Sequence, residues 1–256
     1  MTAPAVSHGS NTSTLQIITA PSNLGLRPPA PGHEPGTWRA PAALLEGGLN
    51  ISLRQARIRQ LARPVYHFEA QPGTRVRNGR EIRRFSESLA GEVRDVLAQG
   101  DFPLVLGGDC SILLGCLLGA RQDAVCGLIH VDGHSDFGHP GNRSASSQLG
   151  AAAGMDLALA SGRGEPLLTD WGTGLTPLVE DENIVQIGER ENHDSDYSYP
   201  DIRETRIRQI DVRTALAQGI VATARQATEY FDIDPELDQA GRYARALARS
   251  LGDAFA

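Results

Sequence analysis

Lysine is absent from this chain: all 24 basic side chains are arginine, set against 31 acidic ones. The formal charge of −7 and the lack of a basic stripe argue against a nucleic-acid partner. The missing lysine reads as a coding bias and carries no mechanism. Cysteine is scarce too. Cys110, Cys116 and Cys126 sit in apolar surroundings and are too few for a disulfide framework, which suits a reducing, cytoplasmic setting. No apolar run approaches the length of a membrane span. The opening "MTAPAVSHGSNTST" has neither the basic nor the apolar region of a signal peptide, so residues 1–14 are expected to form a disordered leader. Internal repeats and long linkers are also lacking, and residues 15–256 are expected to fold as a single α/β domain with a substantial core.

The rest of the chain alternates strand-like and helix-like segments. "LQIITA" (15–20) reads as a first strand, and "AALLEGGL" (42–49) as a short helix after a Pro/Gly-rich loop. Ile82, Phe85, Leu89, Val93 and Val96 step by three or four, which predicts an amphipathic helix over 79–100 that Gly100 can stop. Strands are expected at 102–108, 124–133 and 183–190, helices at 111–121, 149–162 and 241–255, and a polar loop at 191–205. Apolar strands alternating with helices argue for a parallel sheet covered on both faces. In such folds ligand chemistry collects at the carboxyl ends of the strands.

Two of those ends carry chemistry. "LIHVDGHSDF" (128–137) places Asp132, His134 and Asp136 two residues apart just past a strand. In extended chain these face one side, and two close carboxylates repel unless a cation sits between them. Oxygen and imidazole donors suit Mn²⁺, Mg²⁺ or Zn²⁺. The competing reading is a polar turn that uses Asp and Ser for its geometry. "VLGGDCSILLG" (105–115) ends a second strand. There the glycines permit close backbone approach, and Asp109 or Ser111 can cap the following helix.

Together the two motifs resemble those of the ureohydrolase superfamily, which includes arginase and agmatinase. "APAALLEGGL", "GMDLALASGRG", "NIVQIGER" and "DPELDQAGRYARALARSL" are similar to further segments of that family, so the likeness runs over roughly 15–256. The resemblance implies a three-layer α/β/α fold with a central, mainly parallel sheet. It also implies a trimer or hexamer, and two Mn²⁺ ions whose bridging hydroxide attacks the carbon of a small guanidino or amidino substrate. The implied ligands are Asp132, His134, Asp136, Asp232 and Asp234, with Cys110 as a sixth candidate.

The chain departs from the family pattern in three places. Cys110 stands where the family has a metal-binding His. A thiolate there is softer and favours Zn²⁺, and a helix N-terminus would lower its pKa. The alternative is a small buried residue at a helix start. A disulfide with Cys116 is disfavoured, because positions six apart on a helix share a face poorly. Second, "QLGAAAGM" (148–155) lacks the family's imidazole, leaving His139 and His193 as candidates for moving protons. Third, only "YFDIDPELDQ" (230–239) can supply the last carboxylate motif. Asp232 and Asp234 keep its spacing, but Asp238 comes one residue late. The domain therefore reads as shortened between about 228 and 235, with that motif either fused to the C-terminal segment or absent. If it is absent, the first cluster holds one ion. Two functions stay open: a metal-dependent amidinohydrolase, or an inactive scaffold or binding subunit on the same fold.

Overall fold

The computed structural model describes residues 14–53, 56–121, 125–140, 150–172, 174–190 and 199–231. The leader up to residue 13, the predicted helix 241–255, Asp232, Asp234 and His193 lie outside these residues.

Six strands are described: β1 (Leu15–Ala20), β2 (Arg57–Gln60), β3 (Phe102–Gly107), β4 (Leu128–Val131), β5 (Ile184–Ile187) and β6 (Arg208–Ile210). They form two three-stranded sheets in the orders β2-β1-β3 and β4-β5-β6. Every ladder is parallel, with Ile17 beside Ile58 and Leu104 in one sheet, and Val185 beside Ile129 and Arg208 in the other. The helices are α1 (Ala40–Glu46), α2 (Leu49–Ser52), α3 (Gly79–Ala98), α4 (Ile112–Ala120), α5 (Asp156–Ala160), α6 (Pro166–Thr169), α7 (Val212–Gln218) and α8 (Ile220–Tyr230). Parallel neighbours require crossovers: α1 and α2 lie between β1 and β2, α3 between β2 and β3, and α5 and α6 between β4 and β5, while α4 runs from one sheet to the other and α7 and α8 follow β6. The architecture is the three-layer α/β/α one.

β1 and β5 are the central strands of their sheets; β5 is buried along its length and β1 from Gln16 onward. α3 buries Ile82, Phe85, Leu89, Val93 and Val96, the stripe read from its periodicity. It stops at Gly100, whose φ of 75° and N–H to the Leu97 carbonyl close the last turn. α4 is apolar all round, as a helix packed on several sides must be. It lies against α3 through glycines. A Cβ on Gly119 would stand 2.7 Å from Val93 Cβ and 2.8 Å from the Ala90 carbonyl oxygen. A second, smaller core joins Val185, Ile187 and Ile210 to Ala227 of α8.

Five expectations change, one being the strand predicted at 183–190, which is confined to Ile184–Ile187. The helix predicted over 42–49 is split into α1 and α2 at Gly47 and Gly48, the latter in the left-handed region at φ 95°. The strand predicted at 124–133 is confined to Leu128–Val131. The helix predicted over 149–162 is a 3₁₀ turn, Ala152–Gly154, followed by α5. Within the predicted loop 191–205, Pro200–Glu204 forms a 3₁₀ turn.

Candidate metal centre

β3 and β4 end their respective sheets, and both predicted motifs follow them directly. After β3 the chain turns at Gly108, where φ is 103° and a Cβ would lie 2.6 Å from the Ala20 carbonyl oxygen. Only glycine fits so close to the end of β1. Asp109 then turns inward. Its Oδ1 accepts hydrogen bonds from the Gly25 and Ser111 N–H groups at 3.1 and 3.0 Å, and its Oδ2 accepts one from Ser22 Oγ at 2.8 Å. Asp109 therefore ties the turn to the loop after β1. Ser111 occupies the N-cap of α4, but its side chain makes no capping bond. Cys110, between them, is exposed as a residue, while its sulfur lies in a donor group with the buried Asp136 and Asp156.

The loop after β4 is braced by β5. The Asp132 N–H donates to the Ile187 carbonyl at 3.0 Å, extending the ladder by one residue. Gln186, fully buried in β5, donates from Nε2 to the carbonyls of Asp132 and His134, both at 3.2 Å. The Arg190 N–H donates to the Gly133 carbonyl. The His134 N–H folds back onto Asp132 Oδ1 at 2.8 Å. Asp136 is buried and adopts φ 46°, uncommon for a residue with a Cβ and a kind of strain that gathers at functional sites. The Ala158 N–H of α5 holds its carbonyl, and the fully buried Phe137 anchors the next position. The carboxylates thus converge through a turn and a left-handed residue, and not through the strand alternation that the spacing suggested. The strand has ended before Asp132.

Two donor groups result, each with its ligand atoms within 4.8 Å of one another: Cys110, Asp136 and Asp156; and His130, Asp132 and Asp136. Asp136 belongs to both. Of the sequence candidates, Cys110, Asp132 and Asp136 are brought together. His134 stays outside both groups; its side chain is 46% exposed and its Nδ1 lies 3.7 Å from Asp132 Oδ1. His139 is engaged elsewhere, its Nε2 lying 2.8 Å from Asp201 Oδ2. His130 and Asp156 were not among the candidates. Strand alternation offered one signal, since His130 precedes Asp132 by two. Asp156 offered none beyond an acid inside an otherwise apolar helical segment.

The electrostatics are those of a crowded anionic pocket. Burial raises the Asp156 carboxyl well above its usual range, and the charges of Asp136, Asp132 and Asp109 add to that, while the Leu157 N–H opposes it. Burial lowers the His130 pKa against the pull of Asp132, favouring the neutral imidazole that ligates metals. Desolvation raises the Cys110 thiol, and the carboxylates of Asp156, Asp136, Asp132 and Asp109 raise it further. The direction is opposite to that expected of a helix-activated thiolate, with desolvation of the sulfur first and the neighbouring anions after it. A bound cation inverts such logic and deprotonates a coordinating thiol. Two buried atoms on residues of these groups, Asp156 Oδ1 and His130 Nδ1, have no hydrogen-bond partner. Asp156 Oδ1, which faces His130 Nε2 at 3.8 Å, is an unpaired lone-pair oxygen that fits a cation.

Parallel strands with carboxylate, imidazole and thiol donors gathered at their carboxyl ends define a three-layer α/β/α protein with a cation-type pocket. Comparison with known proteins narrows the class. The family model described as "Arginase family" matches residues 14–237, and the chain belongs to the arginase family. It is 44% identical over 112 residues to an arginase of Brevibacillus brevis, covering 43% of this chain and 36% of that one. It is 33% identical over 176 residues to an arginase of Bacillus caldovelox, covering 66% and 56%. These matches thus span little more than half of the curated relatives' length, or less. The solved structure of the Bacillus caldovelox arginase superposes with a TM-score of 0.68 at 29% identity, over 86% of this chain and 72% of that one.

Proposed function

We propose that this chain is a metal-dependent hydrolase that cleaves a C–N bond of a small linear guanidino or amidino compound, with Mn²⁺ as its cation and a trimer or hexamer as its assembly. The observation that carries the reading is the convergence of Asp132, Asp136 and Cys110, from two different sheets, on one pocket that holds the unpaired buried oxygen of Asp156. Family membership supports the reaction class, and the known relatives named above are arginases.

Of the family's motif positions, Asp132, Asp136 and Cys110 would hold the cation, and His134, which lies outside both donor groups, remains a ligand candidate from the sequence. The carboxylates and imidazole suit Mn²⁺, and the sulfur shifts the balance toward Zn²⁺. Asp232 and Asp234 remain ligand candidates from the sequence. A bound divalent cation supplies Lewis acidity and lowers the pKa of water. The chain's own part is positional: Gln186 fixes the backbone of Asp132 and His134, and Asp109 fixes the turn that presents Cys110.

The test is to load the full chain with Mn²⁺, offer arginine, agmatine and a formimidoyl compound in turn, and follow urea or ammonia release. Turnover of one of them is expected, falling to background in Asp136→Asn and on chelation. A chain that holds Mn²⁺ and turns over none of them would favour the scaffold function instead.

A further inference from the structure

We propose that Asp156 and His130 are metal ligands in this chain, so that Cys110, Asp136 and Asp156 hold one divalent cation while His130, Asp132 and Asp136 hold a second. The inference rests on the metal-dependent reading above and goes beyond it. Both ions draw their ligands from the turn after β3, from β4 and its loop, and from the start of α5. No ligand is required from Asp232 or Asp234.

Spacing is the first support. Ligand atoms about 2.0–2.3 Å from one ion lie at most about 4.6 Å apart, and each group keeps its donor atoms within 4.8 Å of one another, so a few tenths of an ångström of closure at most would seat an ion. Asp136 is common to both groups, where a carboxylate with two oxygens can bridge. His130 Nε2 and Asp156 Oδ1 lie 3.8 Å apart, too far for a hydrogen bond.

The second support is independent of spacing. The Asp156 side chain is 3% exposed and that of His130 is 9% exposed. Each nevertheless keeps one polar atom, Asp156 Oδ1 and His130 Nδ1, without a partner. A buried polar atom left unpaired is costly and rare. They sit on residues whose Asp156 Oδ1 and His130 Nε2 atoms face each other, an arrangement that a compensating positive charge fits. Burial of an acid alone is not the signal. Asp109 is just as buried, and three donors cover its oxygens. Asp109 is built into the fold, whereas Asp156 leaves an oxygen open to the pocket.

Cobalt is the probe, because it reports both ion count and ligand type. The full chain is equilibrated with Co²⁺, freed of excess, and read for cobalt per chain and for a thiolate-to-cobalt charge-transfer band in the near ultraviolet. The unmodified chain is expected to hold two ions and show the band. Asp156→Asn should hold one ion and lose or markedly weaken the band with an unchanged circular dichroism spectrum. His130→Gln should hold one ion and keep the band. Cys110→Ser, at a solvent-facing position, should lose the band and so reads the first pocket even if the Asp156 variant fails to fold. Two ions and an undiminished band in Asp156→Asn would overturn the proposal, as would a single ion in the unmodified chain. No cobalt at all would overturn the metal-dependent reading itself. Cobalt bound alike by the unmodified chain and both variants of Asp156 and His130 would sink only this inference.

Discussion

Asp109 and Asp156 are both buried beside the pocket, yet only Asp109 has its oxygens covered by donors. The difference separates structural from chemical carboxylates and sets a prediction for Asp109→Ala. The substitution strips acceptors from the Gly25 and Ser111 N–H groups and from the Ser22 hydroxyl. Each buried donor left unsatisfied costs about 1–3 kcal/mol, so with partial rescue by water a loss of about 3 kcal/mol is expected. A urea titration should show the midpoint fall, while the cobalt content of the folded fraction stays at the unmodified value. At this scale the sequence was partly readable. Asp132, Asp136 and Cys110 stood out because an acid or thiol after an apolar strand has few structural uses. His130 was hidden because it lies within the strand, where a lone histidine reads as core. Asp156 was hidden because its neighbour in space, Cys110, is far from it in sequence.

The elements that were legible are those whose apolar residues are large and regularly spaced. α3 displays its stripe openly, and β1, β3 and β5 are apolar runs between turn residues. β2 is "RIRQ", an edge strand with two arginines and no apolar run, and β6 is the three-residue edge "RQI". An edge needs no continuous hydrophobicity, so its pattern fades into the loops. α8 buries only Thr223 and Ala227 while exposing Ile220 and Val221, so its periodicity points nowhere. α4 shows the opposite limit, where glycine is the packing residue. Gly119→Ala would raise helix propensity by at most about 1 kcal/mol. The added methyl would press on Val93 and on the backbone at Ala90, which cannot swing aside. Overpacking costs about 1–3 kcal/mol, so a net loss of about 1–2 kcal/mol is expected. A thermal melt checks the sign, and a melting temperature at or above that of the unmodified chain would mean that the two helices separate more easily than their spacing implies.

On the scale of the molecule, the pocket joins two sheets that share no ladder among the described residues. Cys110 follows β3 of the first sheet, Asp132 and Asp136 follow β4 of the second, and Asp156 opens α5. Without a cation this junction gathers carboxylates, a thiol and an unpaired imidazole nitrogen, whose mutual repulsion and desolvation oppose folding. A cation reverses the sign of each term and links the sheets through its ligands. The unfolded chain has no such preformed site, so binding free energy becomes folding free energy. At a free Mn²⁺ concentration a hundred times the dissociation constant, the gain is about 2.7 kcal/mol. For a domain of this size each kcal/mol moves the melting temperature by about 2–4 °C, which sets the expected rise at about 5–10 °C. The rise should follow the logarithm of Mn²⁺ concentration, vanish with a chelator, and shrink in Asp136→Asn, where the residue common to both donor groups loses its charge. A melting temperature indifferent to Mn²⁺, Co²⁺ and Zn²⁺ alike would mean that the two sheets are held together without metal, and that the crowded carboxylates are neutralised by protons instead.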